Sequence, residues 1–168
     1  NLTAETITTG DELILTVAKT ATVETMTVAT DLVASAETLK VTDTLTVGGN
    51  AEITATTIDV ATATINGTAD VTATTATFGN LTVEDTANLQ ITGDLNVTNG
   101  TFGADATIDV DGNAKIDELK ITGVSDINVE GDFTTINATL TGAADVNVKG
   151  NLTATTVTAE STLNLTVA

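Results

Sequence analysis

The sequence predicts an all-β protein, a three-sided parallel β-solenoid in which one chain winds about nine coils of 18–19 residues over positions 1–168 as a single domain. Three observations predict it. An apolar pair recurs at that spacing along most of the chain. The residue inside each pair is polar every time. No stretch between pairs carries a helical period.

The pair begins at Leu15, Ala34, Ile53, Val71, Leu89, Ile108, Ile127, Val146 and Leu165, in steps of 19, 19, 18, 18, 19, 19, 19 and 19. Its second member is Val17, Ala36, Ala55, Ala73, Ile91, Val110, Val129, Val148 and Val167. Between them stand Thr16, Ser35, Thr54, Thr72, Gln90, Asp109, Asn128, Asn147 and Thr166. Apolar–polar–apolar is the period of a strand with one buried face. Each repeat holds two more such triplets, such as Ala114/Ile116 and Leu119/Ile121, or Leu152/Ala154 and Val157/Ala159. Three strands and three corners make one coil. Stacked coils then pair each strand in parallel with its copies above and below, ~4.8 Å apart, so nine coils extend for ~43 Å. Parallel crossovers default to right-handed winding.

The corners carry their own columns. Thr57, Thr75, Gly93, Gly112, Gly131 and Gly150 form one, where glycine is expected to permit a sharp bend. Ala51, Ala69, Ala87, Ala106, Ser125 and Ala144 form another, of residues small enough for a tight corner.

Both ends of the pattern read as open. A solenoid normally covers its terminal coils, because they expose apolar core and unpaired backbone. Here there is no amphipathic helix, no proline and no charged terminal coil. The chain ends on "STLNLTVA", one-third of a coil, and "NLTATTVTA" at 151–159 resembles "NLTAETITT" at 1–9. One copy's residues 1–9 are therefore expected to continue the coil that another copy's last residues begin. The candidate interface is Leu2, Ala4 and Ile7 at one end and Leu163, Leu165 and Val167 at the other. Such a contact does not close on itself and makes an open filament. A window cut from a longer repeat protein would show the same matching ends, and a start at Asn1 suits a processed or excised form.

Composition excludes several functions. There is no Cys and no His, so disulfides, Cys-based metal sites and the commonest general base are missing. A net charge of −18 with five Lys+Arg opposes nucleic acid and anionic membranes. No apolar run reaches the ~20 residues of a spanning helix. No signal for nucleophilic catalysis or a phosphate loop is present, and no enzyme, membrane insertion or small-molecule substrate is expected. Thr fills 41 positions, and a Thr-rich, acidic, Cys-free chain suits an extracellular or cell-surface location.

Three surface patterns are candidate sites. The position before the first triplet reads Glu52, Asp70, Asn88, Thr107, Asp126, Asp145 and Asn164, so Glu52 stacks on Asp70 and Asp126 on Asp145. Bound calcium would relieve that repulsion, and "DVDGN" adds Asp109 and Asp111 as candidate ligands; the alternative is a solvated acidic surface with no cofactor. Asn-x-Thr triplets at Asn66, Asn80, Asn96, Asn137 and Asn151 are candidate glycosylation acceptors, although several arise by accident in so Thr-rich a chain. Outward Thr rows, read as Thr56, Thr74, Thr134 and Thr153 or as Thr77, Thr139 and Thr158, resemble the ice-binding face of solenoid antifreeze proteins, with Lys115, Lys120 and Asn96 interrupting them.

Stretches such as "LTVGGNAEIT" (45–54), "LQITGDLNVTNGTF" (89–102) and "INVEGDF" (127–133) resemble the Gly-punctuated β-solenoid repeats of bacterial surface fibres, adhesins and phage fibres. They are also similar to bactofilins, solenoids with coils of similar length that polymerise through their ends. The resemblance is one of repeat style. It implies a structural fibre subunit whose partner is a second copy of itself; a Thr-faced binding module and a viral fibre segment are the other expectations.

Overall fold

The computed structural model describes all residues 1–168 and contains strands, bends and no helix. Its fourteen strands form one continuous, entirely parallel sheet that winds through about nine stacked coils of about 19 residues, as the repeat predicts. Each coil has three faces. Face A is a five-residue strand such as β10 (Ser125–Val129). Faces B and C are the two halves of an eight-residue strand such as β11 (Phe133–Leu140), which is bent at one unpaired residue, Ile136.

The inward columns of face A read from the sequence are true registers. Ile127 pairs with Ile108 below and Val146 above, and Val129 with Val110 and Val148. On face B, Leu2, Ala21, Leu39, Ile58, Ala76, Leu95, Ala114, Phe133 and Leu152 follow one another. Inward side chains from the three faces meet in a single core of 45 buried apolar residues running along the axis. Alternation explains it: a parallel strand with one face in the core reads apolar–polar–apolar, and a slip by one residue would turn that face to water.

Variation in coil length falls entirely at corners. From β3 (Leu32–Val47) to β4 (Ala51–Ile65) the offset changes from 19 at Leu32↔Ala51 to 18 at Thr44↔Thr62, and the change lies between Val41 and Thr44. From β5 (Ala69–Val83) onward it returns from 18 at Ala73↔Ile91 to 19 at Ala76↔Leu95, across the next corner. Strands keep their phase while corners absorb the extra residue.

The glycine corner works differently from the expectation. No residue has a positive φ, so the column does not exploit glycine's left-handed freedom. What it needs is room. A Cβ on Gly131 would sit 2.6 Å from the Gly112 carbonyl oxygen of the coil below, the acceptor for the Gly131 N–H at 3.0 Å. Where this corner is one residue shorter, between Ala36 and Leu39, Ala55 and Ile58, and Ala73 and Ala76, the chain runs on through Thr38, Thr57 and Thr75 as single strands of 15–16 residues. Where it holds Gly93, Gly112, Gly131 and Gly150 the chain bends, and each coil divides into a short and a long strand. An Asx ladder accompanies the bend. The side-chain oxygen of Asp94 accepts the Asn113 N–H (2.8 Å), Asn113 accepts from Asp132 (3.0 Å), and Asp132 from Asn151 (2.8 Å).

Two inward residues are polar, Thr135, whose hydroxyl donates to the Asp117 carbonyl at 3.5 Å, and Ser125. Ser125 replaces the alanines of the small column, is 1% exposed, and its hydroxyl has no partner. A buried, unpaired hydroxyl costs about 1 kcal/mol or more. Ser125→Ala, which matches Ala106 and Ala144 on either side, is expected to stabilise the protein by about 1 kcal/mol. Chemical denaturation measures it, as a higher midpoint at unchanged slope.

Candidate functional site: the two end faces and the surface ladders

Within residues 1–168, the first and last coils of the solenoid each pair on one side only. At the first end, β1 (Leu2–Thr9) pairs only with β2 (Leu13–Val28), and the Leu13–Val17 segment of β2 pairs only with β3. At the last end, β13 (Leu152–Ala159) pairs only with β11, and β14 (Leu163–Val167) only with β12 (Ala144–Val148). Each edge therefore presents a complete coil of faces A, B and C whose outer side has no strand. The apolar columns of face A do not taper there. Leu165 and Val167 are each 47% exposed, whereas Val146 and Val148, one coil inward in the same columns, are 5% and 1% exposed. Leu2, Ile7, Leu13, Leu15 and Val17 are half-buried at the opposite face. Ala4 shares their face and is also half-buried.

The last end is hollow. Inward volume falls along face B from Ile116 to Thr135 to Ala154. A small apolar hollow of about 20 Å³ results, lined by Phe133, Val146, Leu152, Leu163 and Leu165 among others. The structure thus brings the expected interface residues Leu2, Ala4 and Ile7 onto one face, and Leu163, Leu165 and Val167 onto the other. Sequence reasoning missed the remainder of each face: Leu13, Leu15 and Val17 at the first end, Leu152 and Val157 at the last. The signal was present, since these residues share columns with those that were named.

The acidic columns are as expected in register, with Glu52↔Asp70 and Asp126↔Asp145 adjacent. Amides flank these carboxylate pairs. Asn88 donates to Asp70 (3.2 Å) and Asn164 to Asp145 (2.7 Å). Asn128 donates to Asp109 (2.9 Å) and to Asp126 (3.0 Å), and accepts from Asn147 (3.1 Å). Asp111 is exposed at the neighbouring corner. No three acidic side chains are grouped so as to hold a metal ion. Three of the five lysines form ion pairs: Lys40 with Asp59, Lys115 with Asp117 at 2.6 Å, and Lys149 with Glu130 at 2.6 Å.

The Asn-x-Thr positions separate into two groups. Asn66 and Asn96 are exposed with no side-chain hydrogen bond. Asn80 accepts from Asn99 (2.7 Å), Asn137 donates to Glu118 (2.8 Å), and Asn151 donates to Asp132 (3.0 Å). A glycan on any of these last three would displace a ladder contact.

The Thr rows need correction. Thr134 and Thr153 share the face B column of Lys115, Asn96 and Thr77, and Thr56 and Thr74 are not in it. The long row lies on face C: Thr8, Thr27, Thr46, Thr64, Thr82, Thr101, Lys120, Thr139 and Thr158. Beside it Thr6, Thr25, Thr44 and Thr62 complete Thr-x-Thr rows in four consecutive coils. Corner irregularities of one residue hid this column from spacing alone.

Comparison with protein families, with curated proteins and with solved structures finds no match. The end faces and ladders are therefore the whole basis for a functional reading.

Replacing the amide that separates two carboxylates is the direct test of the acidic ladder. Asn128→Asp would place a third carboxylate between Asp109 and Asp126 and leave Asn147 as its neighbour above. The expected loss is on the order of 1 kcal/mol at low salt, shrinking as salt screens it. Thermal melts at two ionic strengths read both parts.

Proposed function

We propose that the protein is the structural subunit of an extracellular filament that grows head to tail by stacking solenoid ends. One observation carries the reading: both end faces are unpaired parallel edges on which the large apolar residues of face A run on to the last coil. An exposed edge strand invites another chain, and natural sheets blunt it when it has no partner. A heterologous contact between unlike faces of identical copies extends without limit. The shortage of cations, the absence of thiols and the Thr-rich surface support an extracellular setting, and an internal ladder of hydrogen bonds in every coil supports a stiff one.

A second reading rests on the Thr-x-Thr rows of face C. β-branched Thr is stiff at χ1, so four rows form a regular array of hydroxyl and methyl groups suited to an ordered water or ice surface. Thermal hysteresis by non-assembled protein would favour it over the filament.

Purified protein is expected to form unbranched threads in negative-stain microscopy and fast-sedimenting species, and deletion of residues 1–9 is expected to abolish both. Protein that stays monomeric at high concentration overturns the filament reading. Because each copy carries −18, assembly is expected to strengthen as salt rises from ~0.01 to ~0.15 M and the screening length falls from ~30 to ~8 Å. Sedimentation across that range checks the sign.

A further inference from the structure

The first and last coils of this solenoid are near copies of each other. Residues 1–18, "NLTAETITTGDELILTVA", and 151–168, "NLTATTVTAESTLNLTVA", are identical at eleven of eighteen positions. The coil directly beneath the last one, 132–149, "DFTTINATLTGAADVNVK", shares only three positions with it. Likeness between these ends therefore exceeds what the repeat itself imposes.

We infer that a second copy docks its first coil on the last coil in one register, residue n upon residue n+150. This rests on the filament reading and adds to it a register and a polarity. Strand β1 of the incoming copy would lie along β13, and its Leu13–Val17 segment along β14. Like then stacks on like, as it does inside the solenoid: Leu2 on Leu152, Ile7 on Val157, Leu13 on Leu163, Leu15 on Leu165, Val17 on Val167.

Three features of the structure support this register. The seven positions where the two coils differ separate charge. Glu5 would meet Thr155, Asp11 would meet Ser161, Glu12 would meet Thr162, and Glu160 would meet Gly10, so no carboxylate stacks on another. The small inward column also changes character at both ends. It is Ala, Ala, Ala, Ala, Ser, Ala from Ala51 to Ala144, but Leu13 and Leu32 at the first end and Leu163 at the last. These leucines would form one run across the junction over the apolar hollow. Finally, the Asx ladder continues. Asn1 already accepts the Thr20 N–H at 3.3 Å as Asp132 accepts that of Asn151, and the Asn151 side-chain oxygen, the top of its ladder, accepts nothing. In the proposed register the backbone nitrogen of the next copy's Asn1 falls above it.

Cysteine pairs test the register, because the chain has no thiol of its own. Thr8 and Thr158 are both exposed, as are Thr3 and Thr153, so neither substitution touches the core. In register, each pair has Cα atoms ~4.8 Å apart, within reach of a disulfide, and a pair displaced by one coil stands ~9.6 Å apart, beyond it. The full chain carrying Thr8→Cys with Thr158→Cys, or Thr3→Cys with Thr153→Cys, is oxidised and run on a non-reducing gel, with Thr27→Cys plus Thr158→Cys as the displaced control. Circular dichroism confirms that each variant keeps its fold. A ladder of dimers and higher multiples is expected from both matched pairs, about tenfold stronger than from the control. Equal cross-linking by the control, or filaments in microscopy without a ladder from either matched pair, overturns the register and leaves the filament reading standing. Neither filaments nor a ladder removes both.

Discussion

The fold depends on one constraint: each residue must hydrogen-bond, in parallel, to its own equivalent one coil away. The ~4.8 Å spacing that results brings like side chains into contact along the axis. It turns the core into three stacks of aliphatic side chains, and it decides which corners are possible. A glycine at Gly112 or Gly131 is required because the carbonyl of the coil below lies within contact distance of where a Cβ would be. Where the corner is a residue shorter and holds no glycine, the chain keeps its strand through it. The Asp and Asn residues after those glycines satisfy backbone N–H groups that a bend would otherwise leave unpaired.

The same constraint shapes the surface. A single acidic residue in a coil becomes a column of acids unless its neighbours differ. Asn88, Asn128 and Asn164 break those columns by donating to the carboxylate below or beside them. Lys40, Lys115 and Lys149 spend three of the few cations in the same way. A chain of net charge −18 thus keeps its coils stacked with short-range hydrogen bonds.

A ladder of this kind has no internal reason to stop. The last coil offers the same donors, acceptors and apolar columns as any inner coil, and so does the first. What distinguishes the two ends is detail: leucine in place of alanine in the small column, acids offset between the two coils, and a hollow where face B loses volume.

Much of this was legible in the sequence because the repeat is one-dimensional. Period two within triplets and period 18–19 between them determined the strands, the inward columns, the register Ile108–Ile127–Val146 and the outward-facing acids. Local alternation and a fixed step leave a parallel stack no second solution. Tertiary structure alone decided what happens where the step varies. It assigned the one-residue irregularities to corners, such as Val41 to Thr44, and so aligned the Thr row of face C, where spacing had grouped Thr139 and Thr158 with Thr77 of face B. It also decided that the glycine column answers to a carbonyl oxygen from another coil and not to its own dihedral angles. Each of these depends on the distance between residues a coil apart, which a sequence period implies but only the wound chain sets.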